Sequence, residues 1–197
     1  MKSREQWLNA AAREILNEYG DRFANHFGDE GLEHLNHLHV STGFPSRGGL
    51  TKVIGECWKS KASADGTTHH IFINPRLDDL TEVLAVLAHE MIHAADDGEH
   101  KHKGPFVRCA RDIHLEGKAT ATVAGAAFAE FAKGVERRIG GYKHVALVPI
   151  KTEKKQTTRM LKLEADCCGY VVRTTQKWID AGLPSCPCGN EFSQEVK

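Results

Sequence analysis

The segment HEMIH at residues 89–93 sets two imidazoles, His89 and His93, four positions apart, with a carboxylate, Glu90, beside the first. Residues four apart on a helix lie one above the other, so both rings can reach a single ion. The glutamate next to the first ring can then reach a water on that ion. The corresponding chemistry is metal-assisted hydrolysis. Zn²⁺ lowers the pKa of its water from ~15.7 toward ~7, and Glu90 acts as the general base. Catalytic zinc sites commonly take three protein ligands and leave a fourth position open. Two histidines just downstream, His100 and His102, are candidates for the third. His102 is favoured, because Gly104-Pro105 opens a helix directly after it and would hold it on a rigid element.

The motif needs a helix that presents it. At ~100° per residue, Leu80, Leu84, Leu87 and Met91 fall within a stripe about 60° wide, with His89 and His93 on the opposite side. That stripe could anchor the helix and present the histidines to a cleft. A plain amphipathic helix with a solvated histidine face fits the same wheel, although Val86 on the histidine side argues against it. Asp79, with Glu82 three residues on, predicts the start of this helix.

Further elements follow from spacing. Trp7, Ala11, Ile15 and Leu16 share one face of an N-terminal helix. A His-rich stretch then leads to LHVSTG, where Leu38 and Val40 alternate with polar residues, and glycines and Pro45 mark a loop. VIGECW (53–58) and THHIFIN (68–74) read as strands, with an Asp65-Gly66 turn between them. Together these predict an α+β fold with a short, mostly antiparallel three-stranded sheet. Phe106, Cys109, Ala110, Ile113 and His114 keep helical spacing. Phe128, Phe131, Val135 and Ile139 line one face of an Ala-rich helix closed by Gly140-Gly141.

A second group of potential ligands lies near the C-terminus. Cys167, Cys168, Cys186 and Cys188 form two clusters around a strand-like GYVVRTT, the arrangement of a zinc ribbon. The strong form of that signal has C-x₂-C at both ends, which this sequence lacks. The bland alternative is a degenerate ribbon packed on Trp178, Tyr170 and Val172, with free thiols. Cys57 and Cys109 read as core residues.

Composition bounds the rest. The chain has 197 residues, 41% hydrophobic and 26% charged, with 12 histidines and zero net charge. Between Arg137 and Lys177 lie ten Lys and Arg against three Asp and Glu, which leaves the remainder with sixteen basic and twenty-three acidic residues. This asymmetry suggests regions with different partners. The basic run 151–162 fits contact with phosphates, with Arg159, Lys162, Arg173 and Lys177 as first candidates, although a solvated linker is the commoner reading of such a run. No run approaches the ~20 apolar residues of a membrane span. The charged N-terminus lacks the apolar core of a signal peptide, so a cytoplasmic location is expected. The cysteines are then expected as thiols or metal ligands rather than disulfides.

Taken together, these residues resemble the SprT-like family of small zinc metallopeptidases, which includes the Spartan proteases, and most closely its short phage and bacterial members. The likeness rests on HEMIHA (89–94), HKGPF (102–106) and the helix leading to LEGKATATVAG (115–125). Upstream it includes GFPSRGG (43–49), IGECW (54–58) and ASADGTTHHIFINP (62–75), and it extends through the cysteine-containing tail, over about residues 38 to 190 in all. It implies a zincin-like domain at 1–142, followed at 143–197 by a basic linker and zinc-ribbon-like tail. It places the catalytic zinc on His89, His93 and His102, with Glu90 catalytic; a second, structural zinc on Cys167, Cys168, Cys186 and Cys188 is the ribbon reading of the tail. Relatives carry a cysteine where Ala165 stands, so the first knuckle departs from their pattern. The implied substrate is a protein or peptide lying extended beside an edge strand, on DNA-associated proteins in the better-known relatives. The competing expectation is a non-catalytic, zinc-containing nucleic-acid-binding adaptor. A third, a domain with fortuitous histidines, predicts no bound metal.

Overall fold

Helix formation starts at the first cap. In the computed structural model, which describes residues 2–46, 53–148 and 160–192, Ser3 Oγ accepts the Gln6 backbone N–H at 3.1 Å and Gln6 Oε1 accepts that of Ser3 at 2.8 Å. This reciprocal cap satisfies two of the N–H groups that a helix start leaves orphaned. Helix α1 (Arg4–Asn36) buries Trp7, Ala11 and Ile15, as the spacing predicts, and continues with Tyr19 and Phe23. It takes in most of the His-rich stretch. Its one break is at Gly28, whose φ of 68° and ψ of −169° belong to a region that residues with a Cβ avoid.

The sheet is mixed, which corrects the expectation of a mostly antiparallel one. Strand β1 (Leu38–Thr42) runs parallel to β3 (His69–Ile73), and β2 (Gly55–Trp58) runs antiparallel to β3, in the order β1-β3-β2. Strand β3 takes the centre because it is the most apolar of the three: Ile71 and Ile73 are fully buried, and His69 is buried with them. The outer edge of β1 is sealed by α1. Asn9 Nδ2 donates to the Val40 carbonyl at 2.7 Å, and Asn9 Oδ1 accepts the Val40 N–H at 3.2 Å. Strand β2 pairs only with β3 among the described residues, and on its second edge the Cys57 N–H reaches the Glu90 carboxylate.

Helix α2 (Leu80–Ala95) begins where the capping pair predicts, with Asp79 Oδ1 accepting the Glu82 N–H at 2.8 Å. Its packing exceeds the expected stripe. Leu84, Leu87 and Met91 are fully buried, and so are Val83, Ala88, Ile92 and Ala94 around the rest of the wheel. A helix that is apolar on nearly every side belongs in the core, and α2 packs against α1, β2 and β3. It also meets two elements that follow it. One is α4 (Ala126–Ile139), closed by Gly140 at φ 87° as predicted. The other is a hairpin of β4 (Leu115–Lys118) and β5 (Ala121–Ala124), which helical spacing alone does not anticipate. The preceding helix, α3 (Pro105–Asp112), ends before the expected His114, which sits at φ 64°.

The chain divides into two compact units, Met1–Pro149 and Ile150–Lys197. The first unit continues past residue 142, where the sequence boundary was expected. His144 Nε2 lies 2.6 Å from the Pro75 carbonyl oxygen, and the Leu147 N–H donates to the same oxygen at 2.9 Å. The second unit holds a hairpin of β6 (Leu161–Glu164) and β7 (Val171–Thr174) and a short helix, α5 (Gln176–Ala181). Its core is Leu163, Ala165, Ile179, Cys186 and Phe192, with Val172 packed against it. Trp178 and Tyr170, which the degenerate-ribbon alternative would pack into that core, are 60% and 51% exposed. No helix among the described residues is long and apolar enough to cross a membrane.

The central position of α2 makes it the element whose packing matters most. Leu84→Ala should destabilise the first unit by about 2–5 kcal/mol, read as a lowered thermal midpoint. A midpoint equal to that of the parent chain would contradict the packing described.

Candidate metal centre

One helix and one loop bring three rings together. His89 and His93 come from α2, one turn apart. His102 comes from the loop 96–104, just before α3. Nε2 of His102 lies 3.1 Å from Nε2 of His93 and 3.3 Å from Nε2 of His89. Of the two downstream candidates, it is His102 that joins the pair. His100 is drawn away by the buried Asp96, whose carboxylate accepts the His100 backbone N–H at 2.8 Å and lies 2.6 Å from His100 Nδ1. The loop is fixed a second time at Asp97, where φ is 39° and Oδ1 lies 3.0 Å from Nε2 of the buried His69. Beneath the cluster, Phe106 is fully buried, and its ring centroid lies 5.0, 4.5 and 4.9 Å from those of His89, His93 and His102.

The three nitrogens fit a cation. Tetrahedral coordination at ~2.0–2.1 Å per nitrogen gives ligand–ligand edges of roughly 3.3 Å, close to the spacings seen. A single ring proton can satisfy one such contact along its axis, whereas a central cation satisfies all three. Protonation is also disfavoured. Burial, followed by the neighbouring ring of His102, pushes His89 down to about 4. Burial, followed by His89 and His102, pushes His93 down to about 3. Burial lowers His102 as well. Neutral imidazoles are the form that binds metal.

Glu90 lies next to these rings at the wall of a cleft of about 380 Å³, lined also by Gly55, Cys57, Lys59 and Thr122. It is only 6% exposed, so this side of α2 is not the solvated face of an amphipathic helix. Burial, with Glu56 adding to it, raises the carboxyl to about 8, while the Cys57 backbone N–H favours the ionised form. Strand β2 passes so close that a Cβ on Gly55 would stand 2.6 Å from Val86 Cγ1 and 2.7 Å from Glu90 Oε1. The glycine of IGECW is therefore needed for the approach of strand to helix.

The opposite wall carries a residue that sequence reasoning missed. Thr122 Oγ1 lies 2.9 Å from His89 Nδ1, so Nδ1–H donates to the hydroxyl and Nε2 keeps its lone pair toward the other histidines. The signal was present in ATATVA, whose period of two between Gly117 and Gly125 reads as a strand placing Thr120 and Thr122 on one face. Of the two expected core cysteines, Cys109 is buried, whereas Cys57 is partly exposed at the cleft.

In the second unit, Sγ atoms of Cys167, Cys168, Cys186 and Cys188 all lie within 4.8 Å of one another. A tetrahedral thiolate site at ~2.3 Å per sulfur has edges of roughly 3.8 Å, so four converging thiols are compatible with a metal ion. The adjacent pair reaches this geometry through a tight turn. The Gly169 N–H donates to the Ala165 carbonyl at 2.8 Å, and Gly169 takes φ 68°. Ala165 itself is 1% exposed and serves the small core. Among the phosphate-contact candidates, Lys162 and Arg173 are register partners across β6–β7, Lys162 Nζ also donates to Glu164 Oε2, and Lys177 Nζ sits 5.0 Å from the Trp178 ring centroid. Arg159 lies outside the described residues.

Thr122→Val should weaken metal binding at the histidines by about 10- to 100-fold, measured by competition with a chromogenic chelator. His102→Ala should abolish it, and His100→Ala should leave it intact. Equal affinity in Thr122→Val would deny the hydroxyl its orienting role. No protein-family model, curated protein or solved structure matches this chain.

Proposed function

We propose that the first unit is a zinc-dependent metallopeptidase of the SprT-like, zincin-like kind that hydrolyses peptide bonds, with His89, His93 and His102 holding the ion and Glu90 as general base. One observation carries the proposal: three imidazole nitrogens converge beside a buried carboxylate, in a cleft bordered by a strand edge that no described strand pairs with. A metal serving structure alone would need neither the carboxylate nor the cleft.

Zinc, when bound, supplies Lewis acidity that brings the pKa of a water from ~15.7 toward ~7. The chain's own residues do the rest. Thr122 orients His89, and Phe106 holds the three rings in place. Glu90, wedged under Gly55 and away from bulk solvent, takes the proton of the attacking water and passes it to the departing amine. Its carboxylate form, the one competent as a base, is favoured by the Cys57 backbone N–H. An extended peptide laid against the outer edge of β2 would pair with that strand's free backbone groups and bring a carbonyl over the histidines.

The same proposal assigns a structural zinc to the four cysteines of the second unit. Contact with nucleic acid through that unit, and hence action on DNA-associated proteins, is supported by the neighbouring Lys162 and Arg173 and by the exposed Trp178 under Lys177.

Elemental analysis of the purified chain should find two zinc ions, with Cys186→Ser removing one and His93→Ala the other. Glu90→Gln should keep both ions and lower cleavage of an unfolded protein substrate by about 10²–10⁴-fold. Undiminished cleavage in that variant would remove the proposed base, and a chain purified without zinc at the histidines would remove the proposal itself.

A further inference from the structure

Lys59 is the one cleft-lining cation of fixed charge, and it has no carboxylate partner within ion-pair distance among the described residues. It follows β2 directly and its side chain turns back over the end of α2. A Cβ on Gly98 would stand 2.7 Å from Lys59 Cε and 3.2 Å from Nζ. Gly98 in turn closes α2 by donating its N–H to the His93 carbonyl at 3.0 Å. The ammonium is thus held against the turn that follows His93, with its stem pinned and its head at the cleft.

The neighbouring carboxylates are engaged elsewhere. Asp96 binds His100 and Asp97 binds His69. Glu56 accepts from the Ser46 backbone N–H at 2.8 Å and from Trp58 Nε1 at 3.2 Å. Glu90 lies under Gly55 and takes the Cys57 backbone N–H. A partly buried ammonium with no counter-charge has lost hydration without recovering it, and an arriving carboxylate restores the balance through a charge-assisted hydrogen bond.

Resting on the peptidase reading above, we propose that Lys59 forms a specificity subsite for a peptide carboxylate, either an Asp or Glu side chain or a free C-terminus. Its place along the strand separates this role from catalysis. The Glu90 carboxylate takes the backbone N–H of Cys57, two residues before Lys59, so at ~3.3 Å per residue the Lys59 backbone lies roughly 7 Å further along the chain. A peptide aligned with β2 would therefore meet the ammonium at a position removed from the reacting carbonyl.

The test uses binding, so that it does not depend on turnover. Zinc-loaded full-length Glu90→Gln is titrated with fluorescent alanine-based peptides, amidated at the C-terminus, that carry Glu or Gln at successive positions. A second set replaces the amide with a free carboxylate. One register with Glu, or the free terminus, should bind on the order of tenfold tighter than its neutral counterpart. The register identifies a side-chain ligand and the second set a terminal one. Lys59→Met should erase the preference, and Lys59→Glu should turn it toward peptides carrying Lys. Equal binding of Glu, Gln and free-terminus peptides would overturn the inference, as would a preference that survives Lys59→Met or an absence of binding by any peptide. If the carboxylate preference is present but the parent chain cleaves nothing, the peptidase reading falls and the subsite stands.

Discussion

Strand β2 approaches helix α2 at a point where the strand has no side chain, and most of the cleft's chemistry depends on that approach. Because Gly55 carries only hydrogen, the Glu90 carboxylate fits between strand and helix, and the Cys57 backbone reaches it. A buried carboxyl with one backbone donor is costly to ionise. That cost is relieved by protonation or by a positive charge nearby, and the three imidazole nitrogens beside it mark where such a charge would sit. The histidines and the glutamate are each poorly solvated alone, and they become mutually consistent when a cation joins them.

How the loop after α2 is built follows from the same economy. It contains two histidines in three residues and must deliver one of them. Asp96 and Asp97 divide the work, the first holding His100 and the second gripping the buried His69 of the central strand. With both carboxylates satisfied, His102 is left to turn inward over Phe106. Which histidine joins the cluster is thus decided by acidic neighbours outside it.

Local signals were legible in the sequence wherever they were covalently close. The cap at Asp79, the Gly104-Pro105 entry to α3, the Gly140 stop and the face formed by Trp7, Ala11 and Ile15 all appear where spacing put them. That the ring of His102 rather than His100 meets the pair was also readable, because a residue beside a helix start is held firmly. What could not be read required knowledge of neighbours in space. Strand order was inaccessible because three strands in succession fit a meander as well as the observed insertion of β3 between the other two. The β4–β5 hairpin was obscured by the helical spacing that ends near His114, and with it Thr122 was missed. Gly55 looked like one more glycine until Glu90 was found beneath it. The missing C-x₂-C spacing argued against a four-thiol cluster, yet a turn at Gly169 brings adjacent cysteines to one point.

The two borders of the small sheet are treated differently. Asn9 mimics a neighbouring strand at Val40 of β1, while no described strand pairs with the outer border of β2. Exposed borders of this sort invite self-association into stacked sheets, a hazard that proteins limit by keeping them short and flanking them with charge. At four residues, ending on Trp58 and followed by Lys59, β2 is brief enough to receive a visiting segment and too brief to template a fibre.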